Sequence, residues 1–248
     1  MNNDTYTVIL CGGRGERMKP FSGYKPKSLL KVHNRPILWY ILKTLKKHGL
    51  YKIIFPLGYK GNQIKDYVEN NDSFKDLEFS FVETGVDTLI KHRISAISHL
   101  LPKNKDFLLI NSDTIFDFEI KSMYEYHKAN DALVTLASVE LASTWGLLVE
   151  KNNKLIGFSR KRSIEYIMTN NEVDSKGFIY SGIAFLHSSA LELVDLDGPI
   201  DFEEALYQKA IEAERALRFR LDGSWFAIDT PKDLATINSL SIEKFNFV

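Results

Sequence analysis

Residues 7–20 read Thr-Val-Ile-Leu-Cys-Gly-Gly-Arg-Gly-Glu-Arg-Met-Lys-Pro, and this segment gives the strongest indication of the fold. Its first four residues are apolar or β-branched, which predicts a short buried strand. Three glycines follow at once, Gly12, Gly13 and Gly15. Because glycines let backbone N–H groups approach an anion closely, the segment predicts a strand that runs into a phosphate-binding loop.

This loop differs from two familiar phosphate-binding motifs. The dinucleotide fingerprint needs a helix that begins at its third glycine, whereas the next predicted helix here begins near residue 37. A Walker A loop needs a glycine followed by lysine and a hydroxyl residue, which the segment lacks. Basic side chains outnumber the single acid, Glu16, in the stretch up to residue 35. They are Arg14, Arg17, Lys19, Lys25, Lys27, Lys31 and Arg35. Such a bias favours a bound anion over a surface loop of solvated lysines, which remains the alternative.

Along the rest of the chain, short β-branched runs alternate with stretches of helical period, and this alternation is typical of a mostly parallel sheet. Predicted strands lie at 7–10, 52–55, 78–82, 107–110, 132–139 and 178–186, and a hairpin at 146–150 and 155–158. Helices are predicted at 37–48, 63–69, 94–100 and 120–128, with Gly49 as a left-handed cap. Three more begin at Ser189, Asp201 and Thr230, each followed three residues later by an acid. Residues 160–176 predict a surface loop. The expected fold is one α/β domain: a Rossmann-like, mostly parallel mixed sheet flanked by helices, with a smaller C-terminal hairpin layer.

Composition narrows the class of protein. The chain has 248 residues, with 32 basic and 32 acidic side chains and a formal net charge of zero. It therefore has no overall field to attract nucleic acid or an anionic membrane. The lone cysteine, Cys11, favours a reducing compartment, and no apolar run predicts a signal peptide or a membrane span. We expect a cytoplasmic, soluble protein.

The glycine-rich loop followed by Lys-Pro-Lys-Ser-Leu-Leu at 25–30 resembles the signature of the sugar-1-phosphate nucleotidyltransferases. Residues 35–43, His48-Gly49 and 58–61 are similar to the glucose-1-phosphate cytidylyltransferases of that family. Two further segments resemble the same cytidylyltransferases: the one that begins with Glu83-Thr84-Gly85 and ends at Arg93, and the Asp229-Thr230 pair after Trp225. The resemblance covers about residues 7–240. It implies a GT-A-like nucleotidyltransferase fold, with a nucleotide-binding half at about 1–140 and a sugar-phosphate-binding half at about 141–248.

The resemblance also implies an activity: transfer of CMP from CTP to a sugar 1-phosphate, giving an NDP-sugar and pyrophosphate. Arg17 and Lys27 would contact the phosphates, and Asp113 and Asp229 would hold Mg²⁺. Asp113 also follows a predicted strand, at the edge where open α/β sheets bind ligands. Further nucleotide-binding residues would be Leu10, Cys11, Gly12, Gly13, Gly15, Glu16, Thr84 and Arg93. The acceptor-binding residues would be Gly146, Lys161, Ser181 and Gly182.

Several positions depart from the family pattern and keep alternatives open. Glu16 replaces a common Thr, Lys91-His92 replaces two glycines near the base, and Arg160 replaces a Glu. The same chemistry with GTP or UTP and a non-glucose acceptor therefore remains open, as does a non-catalytic nucleotide sensor. The family is often oligomeric, and a role in polysaccharide precursor synthesis follows only from the resemblance.

Overall fold

The computed structural model describes residues 4–140, 147–151, 154–159, 178–195 and 201–247. The strands within these ranges are Tyr6–Leu10 (β1), Lys31–Val32 (β2), Arg35–Pro36 (β3), Lys52–Leu57 (β4), Glu78–Glu83 (β5), Asp106–Asn111 (β6), Thr114–Asp117 (β7), Val134–Glu140 (β8), Leu147–Lys151 (β9), Lys154–Ser159 (β10), Phe178–His187 (β11), Ala216–Arg220 (β12) and Ser224–Ala227 (β13). The α-helices are Ile37–Lys47 (α1), Gly61–Glu69 (α2), Ile90–Ile97 (α3), Ile120–Ala129 (α4), Phe202–Glu212 (α5) and Pro231–Asn238 (α6).

Seven strands form one mixed sheet in the order β12-β8-β11-β6-β1-β4-β5. β11 runs antiparallel to both of its neighbours, and the other adjacent pairs are parallel. From β1 the chain moves to β4 and β5 on one side, and then crosses to β6 on the other. The strand order therefore reverses between β1 and β6, and a crevice opens at their carboxyl ends, where doubly wound sheets bind ligands.

The central strands are buried on both faces. Successive residues contribute to opposite core clusters, as Val8 and Ile9 do in β1 and Leu109 and Ile110 do in β6. All four side chains are at most 1% exposed. Because both faces carry helices, these strands read as continuous apolar runs rather than as an alternation. The packing holds the carboxyl ends of β1 and β6 rigidly side by side, next to the crevice.

The structure confirms most of the predicted elements. The mostly parallel α/β sheet is present, β9 and β10 form the predicted antiparallel hairpin, and Gly49 has a φ of 73° after α1. Asp201 caps α5, and Thr230 forms a capping box with Asp233 at the start of α6. The predicted loop at 160–176 lies outside the described residues. Among those described, no helix combines the length and apolar character needed to cross a membrane.

Two helix predictions were wrong in position or type. The helix predicted at 94–100 begins at Ile90 in the structure. The predicted start was too late because Lys91 and Arg93, which are buried in the first turns, interrupt the apolar period that marks a helix. Ser189 does not begin an α-helix. His187 takes the capping position instead, its ring nitrogen accepts the Ser189 N–H, and only a 3-10 helix at Ser188–Leu193 follows.

Five of the described strands escaped prediction: β2 and β3, which have two residues each, and β7, β12 and β13. β12 is an edge strand beside β8, and β7 and β13 form a separate antiparallel ribbon. β7 and β13 have four residues each, and such short segments give little periodic signal. The ribbon brings the far end of the chain to the crevice.

Candidate active site

The first half of the site is a cleft of 290 Å³ at the carboxyl ends of β1 and β6. The two strand ends are joined there by a hydrogen bond of 3.2 Å from the Ser112 N–H to the Leu10 carbonyl. The cleft also contains most of the residues that the sequence assigned to the phosphates and the metal. Its lining residues are Leu10, Cys11, Gly13, Gly15, Glu16, Arg17, Lys27, Ser28, Ser112, Asp113 and Asp229.

The glycines of the loop differ in what they make possible. A Cβ on Gly12 would lie 2.3 Å from the Arg93 guanidinium, so only glycine fits at this position without displacing Arg93. A Cβ on Gly13 would meet nothing within 4 Å, since Gly13 faces the cleft. Gly15 has a φ of 61°, the left-handed conformation that glycine adopts without a Cβ clash. The loop thus packs on one side and exposes backbone on the other.

The β7–β13 ribbon places the two acidic residues together. Ala227 lies opposite Thr114, and the Ile228 N–H donates to the Asp113 carbonyl at 3.0 Å. Asp113 and Asp229, which flank this register, therefore lie beside each other although the sequence separates them by more than a hundred residues. The sequence identified both residues but not the ribbon that brings them together.

Two cations converge on this carboxylate pair. The Lys27 ammonium lies 2.8 Å from Asp113 Oδ2 and 2.6 Å from Asp229 Oδ1. Arg17 approaches Asp229 Oδ1 at 3.2 Å with a side chain that is 73% exposed. Lys27 is a sheltered cation between two acids, whereas Arg17 lies at the open mouth of the cleft. All four residues predicted to be catalytic are therefore in one contiguous group.

The donor set fits a divalent metal ion such as Mg²⁺. Mg²⁺ is held by one or two protein carboxylates and completes its shell with water and phosphate oxygens, so two converging carboxylates suffice. The part of the chain that the structure describes holds no group of three or more His, Cys, Asp or Glu side chains able to bind a metal.

The capping box of α6 also holds the backbone of Asp229. Asp233 Oδ2 accepts the N–H of Asp229 at 3.1 Å and that of Thr230 at 2.8 Å. The Thr230 side chain in turn accepts the Asp233 N–H at 3.2 Å. One side chain therefore fixes both the start of the helix and the backbone of a proposed metal ligand.

We expect Asp233→Ala to lower both stability and turnover. Loss of a helix cap costs about 1 kcal/mol, and loss of a residue that orients a metal ligand costs roughly 10-fold in activity. Chemical denaturation and kcat would measure the two effects. Ser241→Ala is the control, since Ser241 also caps a short helix but does not contact Asp229. A kcat that falls equally in both variants would contradict the positioning role.

A second cavity of 420 Å³ opens on the other side of the loop. Its lining residues are Leu10, Gly12, Gly13, Arg14, Val86, Asp87, Thr88, Ile90, Arg93, Asn111, Ser112 and Asp113. It shares Leu10, Gly13, Ser112 and Asp113 with the cleft, so the two form one continuous surface. Leu10, Val86 and Ile90 make part of its wall apolar. Such a wall suits a flat heterocyclic base.

Arg93 and Thr84 shape this cavity from within. The Arg93 guanidinium donates to the carbonyls of Gly12 at 3.1 Å, Gly85 at 2.9 Å and Val86 at 3.1 Å. It also donates to the Thr84 hydroxyl, which itself donates to the Leu57 carbonyl. Both side chains are therefore committed to protein groups. Any direct contact of Thr84 or Arg93 with a nucleotide remains a prediction.

An ion pair that the sequence analysis missed joins the two lips of this cavity. Arg14 binds Asp87 through two hydrogen bonds of 2.6 and 2.9 Å, and its guanidinium lies 5.5 Å from the Tyr59 ring centre. Arg14 holds the pKa of Asp87 below its usual range, although both groups are solvent-exposed. The basic count around the loop included Arg14, but nothing in the sequence indicated its partner.

Two other residues of the loop have simple explanations. Glu16, whose charge would oppose a triphosphate, pairs with Lys19 at 2.5 Å on the protein surface. Burial raises the pKa of the Cys11 thiol to about 12. The thiol therefore stays neutral and unreactive, and Cys11 contributes to the cleft by its position.

The acceptor side is described only in part, because Gly146, Arg160 and Lys161 lie outside the described residues. The Ser181 hydroxyl is buried and donates to the Ala137 carbonyl at 2.8 Å. Gly182 has a φ of 79°, and a Cβ there would lie 2.9 Å from the Asn111 amide nitrogen. These two residues shape β11 where it passes the end of β6. Any contact with a sugar phosphate remains a prediction.

A polar cluster missing from the sequence analysis lies near Asp113. The Tyr207 hydroxyl is 3.0 Å from that of Tyr180 and 3.3 Å from Glu203 Oε1. Burial raises the pKa of Glu203, and the Asp201 and Asp113 carboxylates raise it further. The Tyr207 hydrogen bond opposes the shift without cancelling it. Glu203 is therefore protonated more readily than an exposed glutamate, and it lies near Asp113 of the carboxylate pair.

The fold and this site define a nucleotidyltransferase, and residues 6–244 match the family described as "Nucleotidyl transferase". A Bacillus subtilis protein named "Probable glucose-1-phosphate cytidylyltransferase" is 31% identical over 253 aligned residues, which cover 94% of each chain. The "Mannose-1-phosphate guanylyltransferase catalytic subunit beta" of Drosophila melanogaster is 24% identical over 95% of this chain and 62% of its own length. The chain belongs to the sugar-1-phosphate nucleotidyltransferase family.

Solved structures confirm the fold. The UTP-bound UGPase from Acinetobacter baumannii matches with a TM-score of 0.71 at 15% identity, covering 94% of this chain and 92% of that one. At this identity the match concerns the arrangement of the backbone. The predicted family and its mixed, mostly parallel sheet are both confirmed.

Proposed function

We propose that the protein transfers CMP from CTP to a sugar 1-phosphate, releasing pyrophosphate. One observation carries the catalytic part of the proposal: Lys27 and Arg17 converge on Asp113 and Asp229 at the carboxyl ends of β1 and β6. Four charged groups of these types in one cleft match the needs of phosphoryl chemistry, in which positioning and charge neutralisation provide most of the rate.

The reaction needs little acid–base chemistry from the protein. The acceptor oxygen is already an anion, so it attacks the α-phosphorus directly while the bond to the β-phosphate oxygen breaks. Arg17, at the mouth of the cleft, would bind the departing phosphates through its planar guanidinium, and Lys27 would bind the α-phosphate. Backbone N–H groups of the glycine loop would cradle the same oxygens. Mg²⁺ held by Asp113 and Asp229 would neutralise developing charge when it is bound.

Support for cytosine as the base comes from the sequence. The Thr84-Gly85 segment that ends at Arg93 and the Asp229-Thr230 pair follow the cytidylyltransferase pattern, and a 31% identical relative carries that name. In the structure these residues build the wall of the 420 Å³ cavity and the carboxylate pair. This cavity is where the base would bind.

Two alternatives follow from specific observations. A relative named as a guanylyltransferase matches over 95% of this chain, and buried Lys91 stands where cytidylyltransferases have a glycine. The same chemistry with GTP or UTP and a different acceptor is therefore the second candidate. A nucleotide sensor without activity is the third, although a binding module has little need of both carboxylates.

Pyrophosphate release separates these candidates. The assay crosses CTP, UTP, GTP, ATP and dTTP with a panel of sugar 1-phosphates, each with and without Mg²⁺. We expect metal-dependent release with CTP and one acceptor, at least about 100-fold above the other triphosphates, because base recognition by buried polar groups discriminates strongly. Release with GTP or UTP alone would replace cytosine in the proposal. CTP binding without release for any acceptor would favour the sensor.

A further inference from the structure

The position of Lys27 bears on the order in which a metal ion and a nucleotide can bind. Its ammonium makes short hydrogen bonds to a carboxylate oxygen of Asp113 and of Asp229, at 2.8 and 2.6 Å. The Lys27 side chain is only 14% exposed, whereas those of Asp113 and Asp229 are 33% and 38% exposed. The cation is therefore sheltered by the two acids that face it.

An ammonium and a divalent metal ion cannot share this place. Carboxylate oxygens that would hold the metal are the ones that the Lys27 nitrogen already contacts at 2.8 and 2.6 Å, so a metal held there would lie next to the ammonium. Two cations at such a separation repel strongly in a partly buried cleft. Arg17, at 3.2 Å from Asp229, adds a third positive charge. Without nucleotide, the two acids are thus already neutralised by the protein's own cations.

The Lys27 ammonium also has a route away from the Asp113 and Asp229 carboxylates. The Lys27 backbone is held beside the buried residues Ser28 and Leu29, while a lysine side chain has a flexible four-carbon stem that lets the ammonium change position. The stem lines the same cleft as Gly13, Gly15 and Arg17, where the triphosphate would lie. A phosphate oxygen that enters the cleft offers the ammonium a new anion, and its departure exposes both carboxylates to metal.

We infer that Lys27 fills the metal position in the nucleotide-free protein, so that the metal binds with or after the triphosphate and not before it. Lys27 then has two successive partners: the carboxylates in the free protein and the α-phosphate in the complex. This inference rests on the proposed use of Asp113 and Asp229 as metal ligands. It adds the point that the free protein excludes the metal from them.

The test titrates Mn²⁺ into nucleotide-free protein and follows free Mn²⁺ by electron paramagnetic resonance. Mn²⁺ suits this test because it favours the same oxygen ligands as Mg²⁺. We expect Lys27→Met to bind one Mn²⁺ at least about tenfold more tightly than the wild type, since the competing charge is gone. The same variant should show a melting temperature that rises with Mn²⁺, while that of the wild type stays unchanged. Lys31→Met, which removes an exposed lysine outside the cleft, should behave as the wild type.

Two further variants secure the interpretation. Asp113→Asn in the Lys27→Met background should abolish the tight Mn²⁺ site, which locates it at this carboxylate pair. Lys27→Gln removes the charge but keeps a polar side chain, and replaces Lys27→Met if the latter fails to fold. Wild-type protein that binds one Mn²⁺ as tightly as the folded Lys27 variants would overturn the inference, and so would folded variants that gain no affinity. Because no nucleotide is present, a failed pyrophosphate assay would count against the proposed function and leave this titration readable.

Discussion

We expect Asp113→Asn to lower kcat by about 10³-fold, equivalent to ~4 kcal/mol of transition-state stabilisation, and to leave the fold intact. The substitution keeps the shape of the side chain and an oxygen that can accept from Lys27. It removes one of the two charges that would hold the metal ion against the phosphates. Initial rates at saturating substrate measure kcat, and circular dichroism together with the melting temperature measures folding.

Asp117→Asn is the matched control for this variant. Asp117 lies at the end of the same short strand, β7, but its carboxylate makes a partly exposed ion pair with Lys47 at 3.1 Å. Surface pairs of this kind contribute about 0–1 kcal/mol, so stability and kcat should remain close to wild type. A folded Asp113→Asn protein with kcat within about fivefold of the wild type would remove Asp113 from the catalytic group.

Arg93→Met should have the largest effect on stability. The Arg93 side chain is buried and donates to a hydroxyl and to four backbone carbonyls, since it also reaches the Leu57 carbonyl at 3.3 Å. These hydrogen bonds hold the glycine loop to the segment after β5. Methionine fills much of the space but cannot donate. The Gly12 carbonyl keeps the Tyr59 N–H as a donor, whereas the described residues offer no other donor to the Gly85 and Val86 carbonyls. We expect the free energy of unfolding to fall by about 3–5 kcal/mol, because each buried polar group left without a partner costs roughly 1–3 kcal/mol. Nucleotide affinity should fall as well, since the wall of the 420 Å³ cavity loses its support.

Two adjacent glycines provide the control for Arg93. Gly12→Ala places a Cβ 2.3 Å from the guanidinium and should displace it, whereas Gly13→Ala meets nothing within 4 Å. Gly12→Ala should therefore reproduce the loss of stability, and Gly13→Ala should weaken nucleotide binding without destabilising the fold. Urea denaturation and a binding titration separate the two effects. Equal stability losses in both variants would show that Arg93 is not the anchor of the loop.

Much of the fold and of the site could be predicted from local patterns. β1 and β6 are apolar runs bounded by polar residues, and the glycines after β1 gave the position of the 290 Å³ cleft. Capping residues at Asp201 and Thr230 fixed two helix starts within one residue. These features are encoded within a few neighbouring positions, where propensity and capping chemistry operate. The family resemblance then supplied roles for Arg17 and Lys27 that no spacing rule could assign.

The unpredicted features depend on contacts between distant parts of the chain. The β7–β13 ribbon pairs segments about a hundred residues apart, and the Arg14–Asp87 pair crosses between two loops. Arg93 could not be recognised as a buried anchor, since a charged residue on a helix is usually solvated. The same limit explains α3, whose buried charges concealed its first turn, and Glu203, whose proximity to Asp113 arises only in the folded sheet.

Nucleotidyl transfer at this site can be tested by following the complete reaction by phosphorus nuclear magnetic resonance. The sample contains the protein, CTP, the acceptor found in the panel and Mg²⁺. We predict that pyrophosphate and a new sugar–nucleoside diphosphate appear at equal rates, that neither forms without the acceptor, and that Asp113→Asn slows the formation of both by the same factor. Pyrophosphate that forms without acceptor, or inorganic phosphate in its place, would contradict nucleotidyl transfer at this site and indicate hydrolysis of the triphosphate instead.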